Sequence, residues 1–350
     1  MKNNILVSIL IPNYNYAHYL RHCLDSVLEQ TYPYIEVIFR DNNSSDNSFE
    51  IAMEYYPKFK EKNIYYSIHK NKYNVGSDRN TNLCRGDSTG DIVYTLASDD
   101  AIEPTFIEKC VAVFKQYPNV SMVMTHRKEI DETGRITETL PFYNQSCIVD
   151  GESQAAVFMM AGIAIPAQRM CRLEALRKTS AFARIWNVAG DWYINYRMSM
   201  VGDIAYIKEP LVQYRVHSGN ETTASERNLL GVMEHYQLLN EFKNMAVNFN
   251  VKKPIERYDA AVEKLGDMCL RYTYKMLQCN DTAAAEKYLK LAPVFKPDII
   301  QNSIYQELFE ISQLTEGAFS ERLHQFGQEH PLSRTVSYDP PEDALFLNII

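Results

Sequence analysis

Short apolar runs alternate with helical patterns along the first 125 residues, and this alternation narrows the possible folds more than any other feature of the chain. Ile5–Ile11 is an apolar run that predicts a strand buried on both faces, and residues 20–28 then carry leucine and valine at helical spacing. Further strands are predicted at Ile35–Phe39, Ile64–Ile68, Ile92–Ala97 and Val120–Thr125, with helices between them. Such alternation predicts an α/β fold with a mostly parallel central sheet, whose ligands bind at the carboxyl ends of the strands.

The pattern changes twice after residue 125. Residues 126–185 have no regular pattern and are expected to pack across the sheet. Two short strands are predicted at Ile204–Ile207 and Leu211–Val216. From about residue 225 helical spacing dominates, with one long pattern over Ile255–Cys279. We therefore predict an α/β domain over residues 1–225, made of halves at about 1–125 and 126–225, and an all-helical C-terminal module over residues 226–350.

Charge and cysteine content disfavour several classes of protein. The 36 basic and 44 acidic residues give a net charge of −8, whereas binding to a nucleic-acid backbone needs a basic surface, so no nucleic-acid partner is expected. An anionic phosphate ligand would need a bound cation to offset this field. The seven cysteines are odd in number and form no C-x-x-C pair, which indicates reduced thiols in a cytoplasmic protein.

Apolar segments of the sequence are too short to cross a membrane. Ala155–Ala167 contains Gly162 and Pro166 and is shorter than the roughly twenty residues that a span needs. The N-terminal run ends at Pro12 and is too short for the apolar part of a signal peptide. We therefore expect a soluble protein without a transmembrane segment, whose closest approach to a membrane is peripheral, at its inner face.

Polar clusters follow two of the early strands. Pro12–Asn15 follows the first strand and could offer amides to a ligand, although an ordinary strand-to-helix turn has the same composition. Asp41–Asp46 follows the second strand, where an acidic residue can accept hydrogen bonds from a ribose or a base. The alternative for this cluster is helix capping, which needs only Ser45 or Asp46.

Two further clusters combine charge with metal-ligand chemistry. Ala97–Asp100 follows the fourth strand and ends in adjacent carboxylates, which suit Mg²⁺ or Mn²⁺. The alternative, capping of the helix that begins near Pro104, is weaker because Glu103 lies closer. In the last predicted strand, Arg215 and His217 share one face and could meet a diphosphate together, although a lone histidine is more often structural.

One motif match is rejected on its context. Gly86–Gly90 reads G-x-S-x-G, but a nucleophile elbow needs a strand before the serine and a helix after it, and the order here is reversed. The chain also has no G-x-x-x-x-G-K-[ST] and no G-x-G-x-x-G sequence, so the common mononucleotide- and dinucleotide-binding motifs are absent from it.

Nine short motifs together resemble those of the family 2 glycosyltransferases, and they extend over about residues 5–220. They occur in the family's order and spacing and lie at Val7–Asn15, Leu24–Thr31, Glu36–Asp46, Asn74–Gly76, Arg79–Asn80, Gly90–Ile92, Ser98–Asp100, Gly190–Trp192 and Tyr214–His217. The resemblance implies a GT-A fold, a nucleotide-sugar donor, a divalent cation and transfer of the sugar with inversion. The halves at 1–125 and 126–225 would then bind the nucleotide-sugar and the acceptor, respectively.

The resemblance also implies roles for individual residues. Asp191 would be the catalytic base, with capping of the following helix as its alternative role. Asp99, Asp100 and His217 would hold Mn²⁺ or Mg²⁺, and the two carboxylates are not separated at this stage. The expected nucleotide-sugar site comprises Pro12, Asn13, Asn15, Asp41, Arg79, Ser98 and Arg215. The chain departs from the family at Asn42 and Ala97, where acidic residues are usual.

The leading hypothesis is an enzyme that transfers a sugar, with a UDP-sugar favoured, to a hydroxyl of a glycan or lipid-linked acceptor in surface polysaccharide synthesis. A sugar nucleotidyltransferase would need a glycine-rich basic loop after the first strand, which Pro12–Asn15 is not. A catalytically degenerate nucleotide-binding or scaffold protein is kept open by Ala97. The helical module carries an apolar stripe that must be covered, and we expect it to pack mainly within the chain and between the helices, with a homodimer through the module as an addition.

Overall fold

One sheet of eleven strands runs through the part of the chain that the computed structural model describes, which comprises residues 4–179, 186, 189–217, 228–314, 316–330 and 336–348. The strands are β1 Val7–Asn13, β2 Ile35–Asp41, β3 Tyr65–Lys70, β4 Ile92–Thr95, β5 Ala101–Ile102, β6 Val120–Ile130, β7 Ile136–Thr137, β8 Cys147–Val149, β9 Arg169–Arg172, β10 Asp203–Arg215 and β11 Leu345–Phe346. The helices are α1 Ala17–Leu28, α2 Ser48–Glu61, α3 Ser77–Gly86, α4 Phe106–Gln116, α5 Gly151–Met160, α6 Leu173–Thr179, α7 Gly190–Ser199, α8 Leu230–Asn248, α9 Lys252–Glu256, α10 Tyr258–Gln278, α11 Thr282–Phe295, α12 Ser303–Ser312 and α13 Glu316–Glu329.

The sheet is mixed, but most of its strands run in one direction. Its order is β11-β8-β10-β6-β9-β4-β1-β2-β3, and β5 and β7 pair beside this path with β10 and β6. The strands β4, β1, β2 and β3 pair in parallel, and so do β6 and β10. On the main path only β8 and β9 run against the others. The predicted mostly parallel sheet is therefore confirmed, and its carboxyl edge gathers the ends of β1, β2, β4 and β10.

Alternating side chains of the central strands enter two separate cores. Ile9 packs with α1, α2 and α4 on one face of the sheet, whereas its neighbour Leu10 packs with α3, α5 and α7 on the other. This two-sided burial explains why β1 reads as a nearly unbroken apolar run. The sequence misses β9, because Arg169 and Arg172 make this short strand look polar.

Two predictions for the second half of the chain need correction. The strands expected at Ile204–Ile207 and Leu211–Val216 are one strand, β10, whose register shifts around Pro210. The C-terminal part is helical as predicted, except for β11, which returns to the sheet and pairs antiparallel with β8. The predicted long helix is present as α10, preceded by the short α9.

The C-terminal helices share one core with the sheet. Tyr196 of α7 stacks on Phe242 of α8 with ring centroids 3.8 Å apart, and its hydroxyl donates to the Phe242 carbonyl. The α10 stripe that includes Leu265 and Cys269 is buried in the same cluster, which also contains Leu10 of β1. The structure thus shows one continuous apolar cluster that joins the predicted C-terminal module to the sheet.

Membrane-spanning segments are not found among the described helices, since none of them is both long and apolar enough. All seven cysteines lie in described residues and are free thiols, and Cys279 is the exposed one. Burial raises the pKa of the Cys84, Cys147 and Cys269 thiols to about 12, so these side chains behave as small apolar groups.

Candidate active site

The loops after β1 and β2 are joined by a buried hydrogen-bond network around Asp41. The Asp41 carboxylate is fully buried and accepts hydrogen bonds from Asn13 Nδ2 at 3.0 Å and from the Ser44 amide at 2.9 Å. The Asn15 amide donates to Ser44 Oγ at 2.9 Å, and Asn15 itself has a φ of 57°, a conformation that asparagine tolerates. Asp41 therefore lies under the loop surface, where it fixes the residues that a ligand would meet.

The loop before α3 is held by a second network of amide side chains. Asn42 Nδ2 donates to Asn74 Oδ1 at 2.8 Å, and Asn42 Oδ1 accepts from Asn71 Nδ2 and from the Val75 amide, both at 2.9 Å. A carboxylate at position 42 could not make the bond to Asn74, since it has no proton to donate. The departure from the family's acidic residue thus has a local reason, which the sequence alone did not reveal. Arg79 lies exposed in the first turn of α3, directly after this loop.

The adjacent carboxylates after β4 have different environments. Asp99 Oδ2 lies 3.0 Å from His217 Nε2, and both side chains are largely but not completely buried. Asp100 is buried, and its Oδ1 accepts a hydrogen bond from the Arg215 amide of β10 at 2.8 Å. Burial, together with the neighbouring Asp99 carboxylate, raises the pKa of Asp100. Asp100 therefore joins the loop to the sheet, whereas Asp99 faces the imidazole.

Arg215 is used to hold this loop in place. Its Nε donates to the Asp99 carbonyl at 2.8 Å, and its Nη1 donates to the Asp131 carbonyl at 2.7 Å. The guanidinium also lies over the Tyr19 ring, 4.4 Å from its centroid, and Nη2 lies 3.0 Å from His22 Nδ1. Burial and the Arg215 charge lower the pKa of His22, so that its ring nitrogen can accept this bond.

A cavity of about 910 Å³ opens beside His217. Three of the predicted site residues line it, namely Asn15, Arg215 and His217. Its other walls come from the start of α1 and from the turn at residues 132–134. Its volume lies in the range of ligand sites, which supports its assignment as a binding site.

Buried polar atoms without partners mark the same edge of the sheet. Ser98 is 1% exposed, and its hydroxyl has no hydrogen-bond partner among the described residues. The side-chain oxygen of Asn13 likewise has no hydrogen-bond partner in the described part of the chain. Such atoms are costly unless a ligand or water completes their hydrogen bonds. Pro12 lies next to Asn13 in β1, opposite Arg40 of β2.

Asp191 lies in the first turn of α7, beside a second cavity of about 370 Å³. The helix cap is Ala189, without a side-chain hydrogen bond, so Asp191 is not the cap. Its carboxylate is 45% exposed and lies 3.2 Å from Arg169 Nη2, and Arg169 Nη1 also donates to the Asp191 carbonyl at 3.1 Å. Arg169 begins β9, so this pair belongs to the carboxyl edge of the neighbouring strand β4.

The donor atoms of Asp99 and His217 fit a divalent cation. Their separation of 3.0 Å is that of adjacent ligands on an octahedral ion with bonds of about 2.1 Å. Two protein ligands are enough where substrate phosphates and water complete the shell. A larger group, Glu307, Glu329 and His330, also lies within ligating distance, but Arg322 already pairs with Glu307 there. We therefore take Asp99 and His217 as the better candidate for the cation site.

Comparison with solved structures gives the class of fold. Residues 1–349 of S. aureus TarS, crystallised in complex with UDP-GlcNAc, match with a TM-score of 0.56 at 17% identity, over 87% of this chain and 91% of that one. This similarity assigns the GT-A fold, as the sequence predicts.

Comparison of sequences gives the family. Residues 8–179 match Glycosyl transferase family 2, and the chain thus belongs to the glycosyltransferases of this family. It is 26% identical over 80% of its length to the chondroitin synthase of Escherichia coli, and 30% identical over 61% of its length to an uncharacterized glycosyltransferase of Nostoc. The chain spans 38% of the first relative and 66% of the second.

Proposed function

We propose that the protein transfers a sugar, with inversion, from a UDP-sugar to a hydroxyl group of a glycan or lipid-linked glycan, with Mn²⁺ or Mg²⁺ as its cofactor. The observation that carries the proposal is the Asp99–His217 pair beside a cavity of about 910 Å³ at the carboxyl edge of a GT-A sheet. The UDP-GlcNAc in the TarS complex supports a uridine nucleotide, and the name of the E. coli relative supports a polysaccharide product.

In this proposal the loops after β1 and β2 bind the nucleoside. Asn13 and Asn15 would meet it directly, and Asp41 would act from below by fixing both loops through Asn13 and Ser44. Arg79 is exposed and would reach the donor from the start of α3. Pro12 and Ser98 complete the set at the ends of β1 and β4.

Asp99 and His217 would hold the cation, and Asp100 and Arg215 would position them. When bound, such an ion neutralises the negative charge that develops on the leaving diphosphate. The hydrogen bonds from Arg215 to the Asp99 carbonyl and from its amide to Asp100 keep the Asp99 side chain directed towards His217. This division of roles favours Asp99 over Asp100 as the metal ligand, a choice that the sequence leaves open.

Asp191 would remove the proton from the acceptor hydroxyl as the new bond forms. Its carboxylate is accessible and borders a cavity, so an acceptor can approach it. The Arg169 guanidinium orients Asp191 through two contacts, one to its backbone carbonyl and one to its carboxylate. One carboxylate on the side of the acceptor is sufficient for a single displacement with inversion.

Titration calorimetry with UDP tests the donor site. We expect UDP to bind in the presence of Mn²⁺ and to bind much more weakly in EDTA. A screen of nucleotide-sugars should then detect cation-dependent hydrolysis of a UDP-sugar. A scaffold protein would bind without hydrolysis, and a nucleotidyltransferase would release pyrophosphate from UTP and a sugar phosphate. Turnover that is undiminished in chelator would contradict the proposed role of the cation.

The Asp191→Asn variant tests the base. Because a base acts mainly in the transition state, we expect turnover to fall by about 10²- to 10⁴-fold. Affinity for UDP and Mn²⁺ should change little, since Asp191 lies at the second cavity. Near-normal turnover of this variant would place the base elsewhere.

A further inference from the structure

The cavity beside Asp191 is built jointly by residues 160–165, by the start of α7 and by the C-terminal helices. One wall is formed by the end of α5 and by Asp191 and Trp192 of α7. The opposite wall is formed by His235 of α8 and by one face of α10, which carries Lys264, Leu265, Met268 and Arg271. Residues of the C-terminal helices therefore line the same cavity as the candidate base.

Two cations of α10 border this cavity. Lys264 and Arg271 are seven residues apart, which places them on the same face of the helix and about 10 Å apart along its axis. Lys264 Nζ donates to the Met160 carbonyl at 3.2 Å. Burial and the nearby Arg271 charge both lower the pKa of Lys264, and the Asp267 carboxylate opposes them in part.

Two acidic residues near these cations have other partners. Asp267, between them on α10, pairs with Lys296 at 2.9 Å, and Asp191 pairs with Arg169 at 3.2 Å. Within the described parts of the chain, neither Lys264 nor Arg271 has a carboxylate at salt-bridge distance. In a protein of net charge −8, two such cations in the wall of one cavity indicate that the cavity favours an anion.

The remaining lining suits the rest of a sugar chain. The Trp192 ring is partly buried, its indole N–H donates to the Phe158 carbonyl, and it lies 5.3 Å from the His235 ring between centroids. The ring is therefore held in place as a flat apolar surface. Such surfaces pack against the apolar faces of sugar rings, and cations nearby add selectivity for charge.

We propose that this cavity is the acceptor site and that it selects an acceptor with a negatively charged group, which Lys264 and Arg271 bind next to Asp191. The inference rests on the proposed transferase function and adds the chemical class of its acceptor. The anion can be the carboxylate of a uronic-acid residue or the phosphodiester of a phosphate-linked polymer, since both offer paired oxygens to lysine and arginine.

Binding of model acceptors to the full chain, saturated with UDP and Mn²⁺, tests the inference. The probes are an oligogalacturonate, an oligomer of glycerol phosphate and a neutral cello-oligosaccharide of similar length. We expect one of the two anionic probes to bind at least tenfold more tightly than the neutral probe, and its affinity to fall as NaCl is raised. The better anionic probe identifies the source of the charge. Equal affinity for the neutral and anionic probes would overturn the inference.

Charge-removing variants locate the binding site. The double variant Lys264→Gln, Arg271→Gln should lower the affinity for the anionic probe by about tenfold or more and leave the affinity for UDP unchanged. The matched control is Lys287→Gln, Lys290→Gln, which removes two exposed cations from α11. It should change neither the affinity for the anionic probe nor the affinity for UDP. If the double variant fails to fold, Arg271→Gln alone applies the same test, since this side chain is exposed. Unchanged probe binding, or loss of UDP binding, in the α10 variants would overturn the inference.

The design separates this inference from the proposed function. A wild-type protein that does not bind UDP would refute the transferase proposal itself. A wild-type protein that binds UDP and hydrolyses a UDP-sugar, but shows no preference for an anionic probe, would refute only the acceptor inference.

Discussion

Neighbouring aspartates at positions 99 and 100 illustrate how one backbone step changes the chemistry of a carboxylate. Asp99 faces His217, whereas Asp100 points into the sheet and accepts a hydrogen bond from the backbone of β10. The partner that distinguishes them, Arg215, lies 115 residues away from Asp100 in the sequence. Local sequence can therefore predict a loop with acidic metal ligands, but it cannot identify which of the two carboxylates faces the cation site.

The variants Asp99→Asn and Asp100→Asn should differ sharply. Loss of one anionic ligand in Asp99→Asn should weaken Mn²⁺-dependent UDP binding by about tenfold or more. Asp100→Asn keeps an oxygen that can accept from the Arg215 amide and removes a carboxyl group whose ionisation is disfavoured by burial, so UDP affinity should stay within about threefold. Calorimetry at matched Mn²⁺ concentrations measures both values. Equal losses in the two variants would mean that both carboxylates serve the cation.

His235 should make the protein less stable in mild acid. Burial lowers its pKa to about 4, with a further contribution from Arg271 and an opposing one from Glu234. An unfolded histidine titrates near 6.5, so the unfolded state takes up its proton first as the pH falls. The free energy of unfolding should therefore fall between about pH 6.5 and pH 4, by the order of 1–3 kcal/mol, and level off below.

Urea unfolding of the wild type and of His235→Gln, measured from pH 7.5 to pH 4.5, checks this contribution. The variant should lose part of the pH dependence. The exposed His324 of α13 supplies the control, because His324→Gln should retain the wild-type slope. The same slope in all three proteins would show that His235 can be protonated without cost in the folded state.

At the scale of single elements, the packing of α10 against α11 depends on a glycine. A Cβ atom added at Gly266 would lie 2.8 Å from Lys296 Cβ and 3.1 Å from the Ala292 carbonyl. Although alanine favours helix by about 1 kcal/mol, the backbone of α11 cannot move aside without disturbing the core. We expect Gly266→Ala to destabilise the protein by about 1–2 kcal/mol in thermal unfolding.

Gly86 provides the comparison for this substitution. It ends α3, and an added Cβ would meet no atom within 4 Å. Gly86→Ala should therefore be neutral or slightly stabilising. If both substitutions lower the melting temperature equally, a close approach of helices is not the cause.

Elements with a strong local signal could be predicted, and elements defined by distant partners could not. The strands β1 and β2 are apolar runs buried on both faces, so their sequence identifies them. By contrast, β11 has two residues and exists only because β8 lies beside it. The amide network of Asn42 joins residues about thirty positions apart, and nothing in the local sequence shows that these side chains meet.

The residues of the candidate site can be divided in the same way, into those that the sequence predicts and those that it does not. Motif positions gave Asp99, His217 and Asp191, because the family resemblance carries them. Arg169, which pairs with Asp191, and the α10 cations were missed, because they lie outside the motifs and become neighbours only through packing.

For the whole molecule, the shared core predicts that the catalytic part cannot be isolated. Removal of all residues after 225 would expose the face on which Tyr196 stacks with Phe242. We expect the truncated chain to be insoluble or to unfold at much lower temperature, as judged by expression, gel filtration and circular dichroism. Removal of residues 336–350 alone should cost far less, since it leaves α8 to α13 in place. A soluble, monomeric and fully active truncated chain would show that the C-terminal part is an independent appendage.

The return of β11 to the sheet also limits how two copies could associate. An unpaired strand edge is a template on which a second chain can continue the sheet, and β11 occupies that edge of β8. Because β11 is only two residues long, it offers a poor template in turn. Along the main path of the described sheet, this leaves β3 as the longer terminal strand. A dimer built through the C-terminal helices, as the sequence predicts, would therefore join two sheets whose β8 edge is already covered by β11. Its strength would depend on the packing of side chains rather than on backbone hydrogen bonds.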